Sequence, residues 1–122
     1  MINNLGGQSS QAASLSPASY AAGANNGTWV NLTGAQGEVT VQIAIGAVTG
    51  SVVFKVQDAT DTGGTGAADL SGVTTASITA ANGVAKLAFP RASARQAVRV
   101  VATVTTGPVF ASALVESLPQ IV

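Results

Sequence analysis

Stretches of strict alternation constrain this chain more than any other feature. In Glu38-Val39-Thr40-Val41-Gln42-Ile43-Ala44-Ile45 the side chains of Val39, Val41, Ile43 and Ile45 fall on one face of an extended chain, with Glu38, Thr40 and Gln42 on the other. Ser51 to Asp58 repeats the scheme, with Val52, Phe54 and Val56 on one face and Lys55 and Gln57 on the other. Gln96 to Thr105 does so again, aligning Val98, Val100, Ala102 and Val104. A helix would scatter these positions around its circumference. Val, Ile and Thr, which crowd these segments, lose rotamer freedom in helices and pack well on a pleated surface. A helical bundle is excluded, and Val41, Ile43, Phe54, Val100 and Val104 are expected in the core.

Turn residues divide the rest into further short runs. Gly27 to Leu32 reads as a first strand, closed by Thr33-Gly34, and Gly46 to Gly50 as the loop of a hairpin between the two alternating stretches. Residues 59–72, ATDTGGTGAADLSG, hold the wrong residues for a strand and form the longest loop. Val73 to Thr79 and Val84 to Phe89 read as shorter strands joined at Asn82-Gly83, a strong hairpin signal, with Pro90 ending the second. Gly107-Pro108 turns the chain into a last strand, Val109 to Ser117, and Pro119 excludes its simple continuation. Seven short strands with one apolar face predict an all-β fold, a two-layer antiparallel β-sandwich, with a small barrel as the alternative. Residues 1–26 carry no charge and no sustained periodicity, so they are expected to form an extended N-terminal arm. The sandwich domain then spans 27–116 and a C-terminal tail 117–122.

Composition narrows the chemistry. With 122 residues the chain supports one small domain, and five Lys+Arg balance five Asp+Glu. A formal charge of zero argues against a nucleic-acid partner, which requires clustered cations. The chain has no His and no Cys, which removes the commonest general base, thiolate chemistry, disulfides and the usual zinc ligands. The opening MINNLGGQSS puts no cation ahead of a hydrophobic run, and no apolar stretch approaches the roughly 20 residues of a spanning helix, so no export signal or membrane anchor is expected. A chain with only 8% charged residues and no net charge favours association.

No catalytic constellation stands out. Glu38 and Glu116 read as solvated strand flanks, and no carboxylate pairing is visible, so neither enzymatic activity nor a cofactor is expected. Asp58, Asp61 and Asp69 surround Gly63-Gly64-Thr65-Gly66, but their spacing matches neither an EF-hand nor a glycine-aspartate calcium repeat. No Lys-Ser or Lys-Thr follows these glycines, so they do not form a phosphate cradle. Interface residues are the remaining candidates. Leu15 and Tyr20 flank Pro17 in the arm and could anchor it on a neighbour. Arg91 and Arg95, with Arg99 beyond, could pair with a neighbour's acidic loops. Trp29 is either a core plug or an interface anchor.

The segments NGTWVNLTGAQGEVTVQIAIGAVTGSVVFKVQDATD, SGVTTASITAANG and RQAVRVVATVTTG resemble the small all-β virion proteins of tailed bacteriophages, in particular head decoration, or cement, proteins and minor capsid proteins. The resemblance covers about residues 25–116 and lies in strand patterns rather than in a catalytic signature. It implies a structural protein of the virion that binds the assembled head, with the major capsid protein and copies of itself as partners. A tail or baseplate component, or a small adhesin-like binding module, is the alternative. A sugar-binding module would be expected to display exposed aromatics, and this chain has a single Trp and a single Tyr.

Overall fold

The computed structural model describes residues 10–119. Seven strands form one antiparallel sheet: β1 (Ser10–Tyr20), β2 (Gly23–Asn26), β3 (Val30–Asn31), β4 (Ala35–Ala59), β5 (Ala68–Thr74), β6 (Gly83–Pro90) and β7 (Ala97–Pro119). A 3-10 turn, Arg91–Ser93, connects β6 to β7. The all-β antiparallel expectation holds, and every side chain assigned inward in the three alternating stretches is buried.

The connectivity differs from seven short strands. The segments Gly46–Gly50 and Gly107-Pro108 are not hairpin loops, because β4 and β7 each run through them as single strands of 25 and 23 residues. The two strands pair along nearly their whole length and become irregular together, between Ile45↔Ala111 and Gly50↔Thr106. There Gly50, Thr106 and Gly107 adopt positive φ. Glycine at 50 is required twice over, since a side chain there would meet the Thr105 carbonyl at 2.1 Å.

This crease divides the sheet into halves. In one, β4 (35–45) lies between β6 and the outer part of β7, with β1 beyond β7. In the other, β4 (51–59) lies between β5 and the inner part of β7, with β2 and β3 on the far side of β7. The apolar faces of the two halves contribute to one core, in which Val39, Val41 and Ile43 join Val52, Phe54, Val56 and Val98. Two sheet layers therefore enclose the core, but they are one folded sheet.

The arm requires correction. From Ser10 to Tyr20 it is β1, paired with β7 from Ser10↔Ser117 to Tyr20↔Val109, and Gly23–Asn26 forms β2 on the same partner. Leu15 is only 2% exposed and belongs to the core. The expected tail also begins too early, because β7 continues through Pro119. Residues 1–9 and 120–122 of these two expected segments lie outside the described residues. The first expected strand, residues 27–32, is reduced to β3, and β5 lies five residues upstream of the expected Val73–Thr79. Ile78 makes only an isolated bridge to Val52.

This difference is measurable. If Leu15 belonged to a detached arm, truncating it would leave stability unchanged. As a core residue, Leu15→Ala should cost about 2–5 kcal/mol, read as a lower urea midpoint at constant slope.

Candidate interaction surface

Seven of the ten charged side chains gather near where β4 ends and β7 begins, while Glu38, Lys86 and Glu116 lie on the other half. Asp58, 7% exposed, stands at the end of β4 opposite Val98 and faces the linker that carries Arg95. Arg95 donates from Nε to Asp58 Oδ2 at 3.2 Å and from Nη2 to Oδ1 at 3.0 Å, and its backbone N–H adds a bond to Oδ2 at 3.0 Å. The same Nη2 reaches the Gly66 carbonyl at 2.7 Å, which straps the 60–67 loop to the end of the sheet. A planar guanidinium suits this fork, because it presents donors in the geometry of a carboxylate. Arg91 likewise spends its donors on its own chain, from Nε to the Leu32 carbonyl and from Nη1 to the Ala94 and Arg95 carbonyls.

On the outer face of the same half a polar chain crosses three strands. Arg99 on β7 donates from Nε and Nη2 to Gln57 Oε1 at 3.0 and 2.8 Å, Gln57 on β4 donates to Asp69 at 2.8 Å, and Lys55 pairs with Asp69 at 3.2 Å. Register explains the order, since Gln57 stands directly opposite Arg99 on one side and Asp69 on the other. Trp29 completes the chain: Arg99 lies over its ring at 4.5 Å, a cation–π contact, and Gly64, at φ +84°, packs against its indole edge. Trp29 is thus a half-buried cover between strand and loop rather than a plug in the main core.

The acidic loop is organised around internal bonds. Asp61 accepts from the Gly63 and Thr65 N–H groups, while Asp58 and Asp69 face Arg95 and Lys55. Among the described residues no three acidic groups converge as a metal site would require. Hydrogen bonds from Arg95 hold the Asp58 carboxyl below the usual carboxylate range despite its burial, bonds from Thr65 lower Asp61, and bonds from Gln57 and Lys55 lower Asp69. A folded-state value below the unfolded one stabilises the fold above the unfolded value, about 4, and that contribution is lost as pH falls through the folded value. The melting temperature should therefore hold down to about pH 5 and fall in more acidic solution, with a shallower acid limb in Asp58→Asn. An unchanged limb in that variant would remove Asp58 from the account.

The five expected interface residues do not form one surface. Leu15 is in the core, and Tyr20 lies partly against that core with its hydroxyl donating to the Ser16 carbonyl. Trp29, Arg91 and Arg95 sit near the opposite end, where Trp29 lies under the Arg99 guanidinium and the Arg91 and Arg95 donors are directed at their own chain. The free apolar surface lies elsewhere. On the outer face of the other half, Phe110 and Leu114 of β7 and Val84 of β6 are exposed, Val84 to 86%. Leu114 and Val84 border a shallow groove of about 400 Å3 with Gln42, Ala44, Lys86 and Ser112. The signal was present in Val109 to Val115: Val109, Ala111, Ala113 and Val115 fill the inward positions, so Phe110 and Leu114 break the polar alternation on the outside.

No family model matches this chain, and no curated protein sequence does. Solved structures do resemble it. The SPBc2 prophage-derived protein YomS superposes with a TM-score of 0.59 at 19% identity, covering 89% of this chain and 93% of its own. A structure described as Bacillus endospore appendages that form a family of disulfide-linked pili gives a TM-score of 0.51 at 15% identity, over 93% of this chain and 90% of the other. PirA gives 0.51 at 11% identity, over 88% and 91%. These likenesses show a shared fold. Among the described residues, no helix is long and apolar enough to cross a membrane.

Proposed function

We propose that this chain is a structural, non-catalytic subunit of a phage particle that binds the outside of the assembled head and holds capsomers together, with the major capsid protein and copies of itself as partners. The observation that carries this reading is the exposed apolar strip of Phe110, Leu114 and Val84 on a small domain whose ion pairs are spent internally. An isolated soluble domain has no use for such a strip, whereas a subunit buries it on assembly. The fold shared with a prophage-derived protein supports a phage origin. A second reading, a pilus-like appendage subunit, is supported by the likeness to the endospore appendage structure.

The test mixes the purified chain with phage heads from a mutant that lacks it, followed by sedimentation and negative-stain imaging. Co-sedimentation at saturable occupancy, with heads that resist heating better, is the expected result. If the chain stays in the supernatant the head reading fails, and filaments of the chain alone would favour the appendage reading.

A further inference from the structure

We infer that the outer face of β7, β4 and β6 binds a second copy of this chain about a two-fold axis, with Leu114 near the axis and Lys86 of each copy facing Glu116 of the other. The inference rests on the reading of this face as an assembly surface and names its occupant.

Strand register places the charges. Gln42 on β4 stands opposite Lys86 on β6 and opposite Leu114 on β7, and Thr40 stands opposite Glu116. Directly opposed residues of antiparallel strands share a face, so Lys86, Leu114 and Glu116 all project outward. Lys86 and Glu116 are two strands apart and offset by two residues, which at ordinary sheet spacings separates their backbones by about 12 Å. Among the described residues neither joins an ion pair, the two pairs there being Lys55–Asp69 and Arg95–Asp58. Glu116 accepts one bond from the Gln11 amide, which leaves its second carboxylate oxygen available.

Apart from Glu38 farther along β4, this face thus carries one cation and one anion, on opposite sides of Gln42 and Thr40, with Leu114 beside them. Such a patch is complementary to itself. A half-turn about an axis lying in the face, perpendicular to the line from Lys86 to Glu116, exchanges the two charges. In the strand lattice that axis passes by Ser112 and Leu114, which then meet their own counterparts. Leu114 packed on its own counterpart supplies apolar contact and the two reciprocal pairs set the orientation. Zero net charge removes long-range repulsion between copies. A partner of one charge sign would match only one side of this face.

Sedimentation equilibrium of the full chain tests the arrangement. The unaltered chain should dimerise, and Lys86→Glu and Glu116→Lys should each weaken dimerisation by at least about tenfold by setting like charges face to face. The double variant Lys86→Glu with Glu116→Lys should return to near the original dissociation constant, because the swapped charges again meet across the axis. Leu114→Arg should abolish association. Melting curves serve as the check on folding, and these exposed changes should leave them close to the unaltered chain. A monomeric unaltered chain, single variants that associate normally, or a double variant no better than the singles each overturns the inference. Head binding that persists alongside any of these results would keep the proposed function while removing the two-fold contact.

Discussion

Replacing Phe54 by Ala should lower the stability of this domain by about 3–5 kcal/mol, seen as a large drop in the urea midpoint with an unchanged slope. Phe54 is fully buried at the middle of the second half of β4, opposite Ala102. Its ring is the largest fully buried side chain in a core whose other members are mostly Val, Ile and Ala, so its removal leaves a cavity between the layers. The backbone there is also fixed from the side, since the Phe54 N–H donates to Thr75 Oγ1 and its carbonyl accepts from the Thr75 N–H. A loss of this size is a third or more of what many small domains possess. Near-normal stability of Phe54→Ala would mean that the inward and outward faces of β4 are reversed.

Gly27→Ala should be comparably damaging, at about 3 kcal/mol or more, although the position has no unusual φ. An added β-carbon would lie 2.3 Å from Ser14 Oγ and 2.7 Å from the carbonyl oxygens of Ser14 and Val100. The crowding exists because Ser14 joins the halves of the sheet: its hydroxyl accepts from the Val100 N–H and donates to the Thr28 carbonyl, each at 2.9 Å. Gly27 and Thr28 add backbone bonds to Val100 and Ser14 at 2.8 and 2.7 Å. A methyl group must either push β1 from β7 or break these bonds, so overpacking and lost hydrogen bonds act together. Gly83→Ala is the control, because nothing lies within 4 Å of its added carbon and its φ is ordinary. Equal melting temperatures for the two variants would show that the Ser14 junction is looser than described.

The same junction shows why part of the fold was legible in the sequence and part was not. From Glu38 to Ile45 and from Ser51 to Asp58, burial follows the alternation residue by residue, because each strand has one face on the core and one in solvent. In β1 the register shifts on both sides of Leu15, so Ser14 and Leu15 are buried consecutively and period two is lost. Without alternation, its Ser and Ala residues read as an arm. The crease failed for a different reason. Gly46–Gly50 and Gly107-Pro108 have turn chemistry, but the two irregular segments lie side by side on paired strands, and the sheet bends there without reversing. That coincidence is a property of pairing, which neither segment shows alone. At the charged end, Asp58 and Arg95 were visible as residue types, yet their pairing depends on a separation of 37 positions closed by the β4–β7 register.

A structural subunit of this kind must cover the outer face of β7, β4 and β6 in the assembled state. The chain has no cysteine, so Val84→Cys introduces a single thiol on that face at a position 86% exposed in the isolated chain. Its rate of alkylation by a maleimide, measured on dilute free chain and on assembled particles or oligomers, reports coverage directly. The expected result is fast labelling of the free chain and labelling slowed at least about tenfold in the assembly. Equal rates in the two states would mean that the face stays open to solvent and is not an assembly surface.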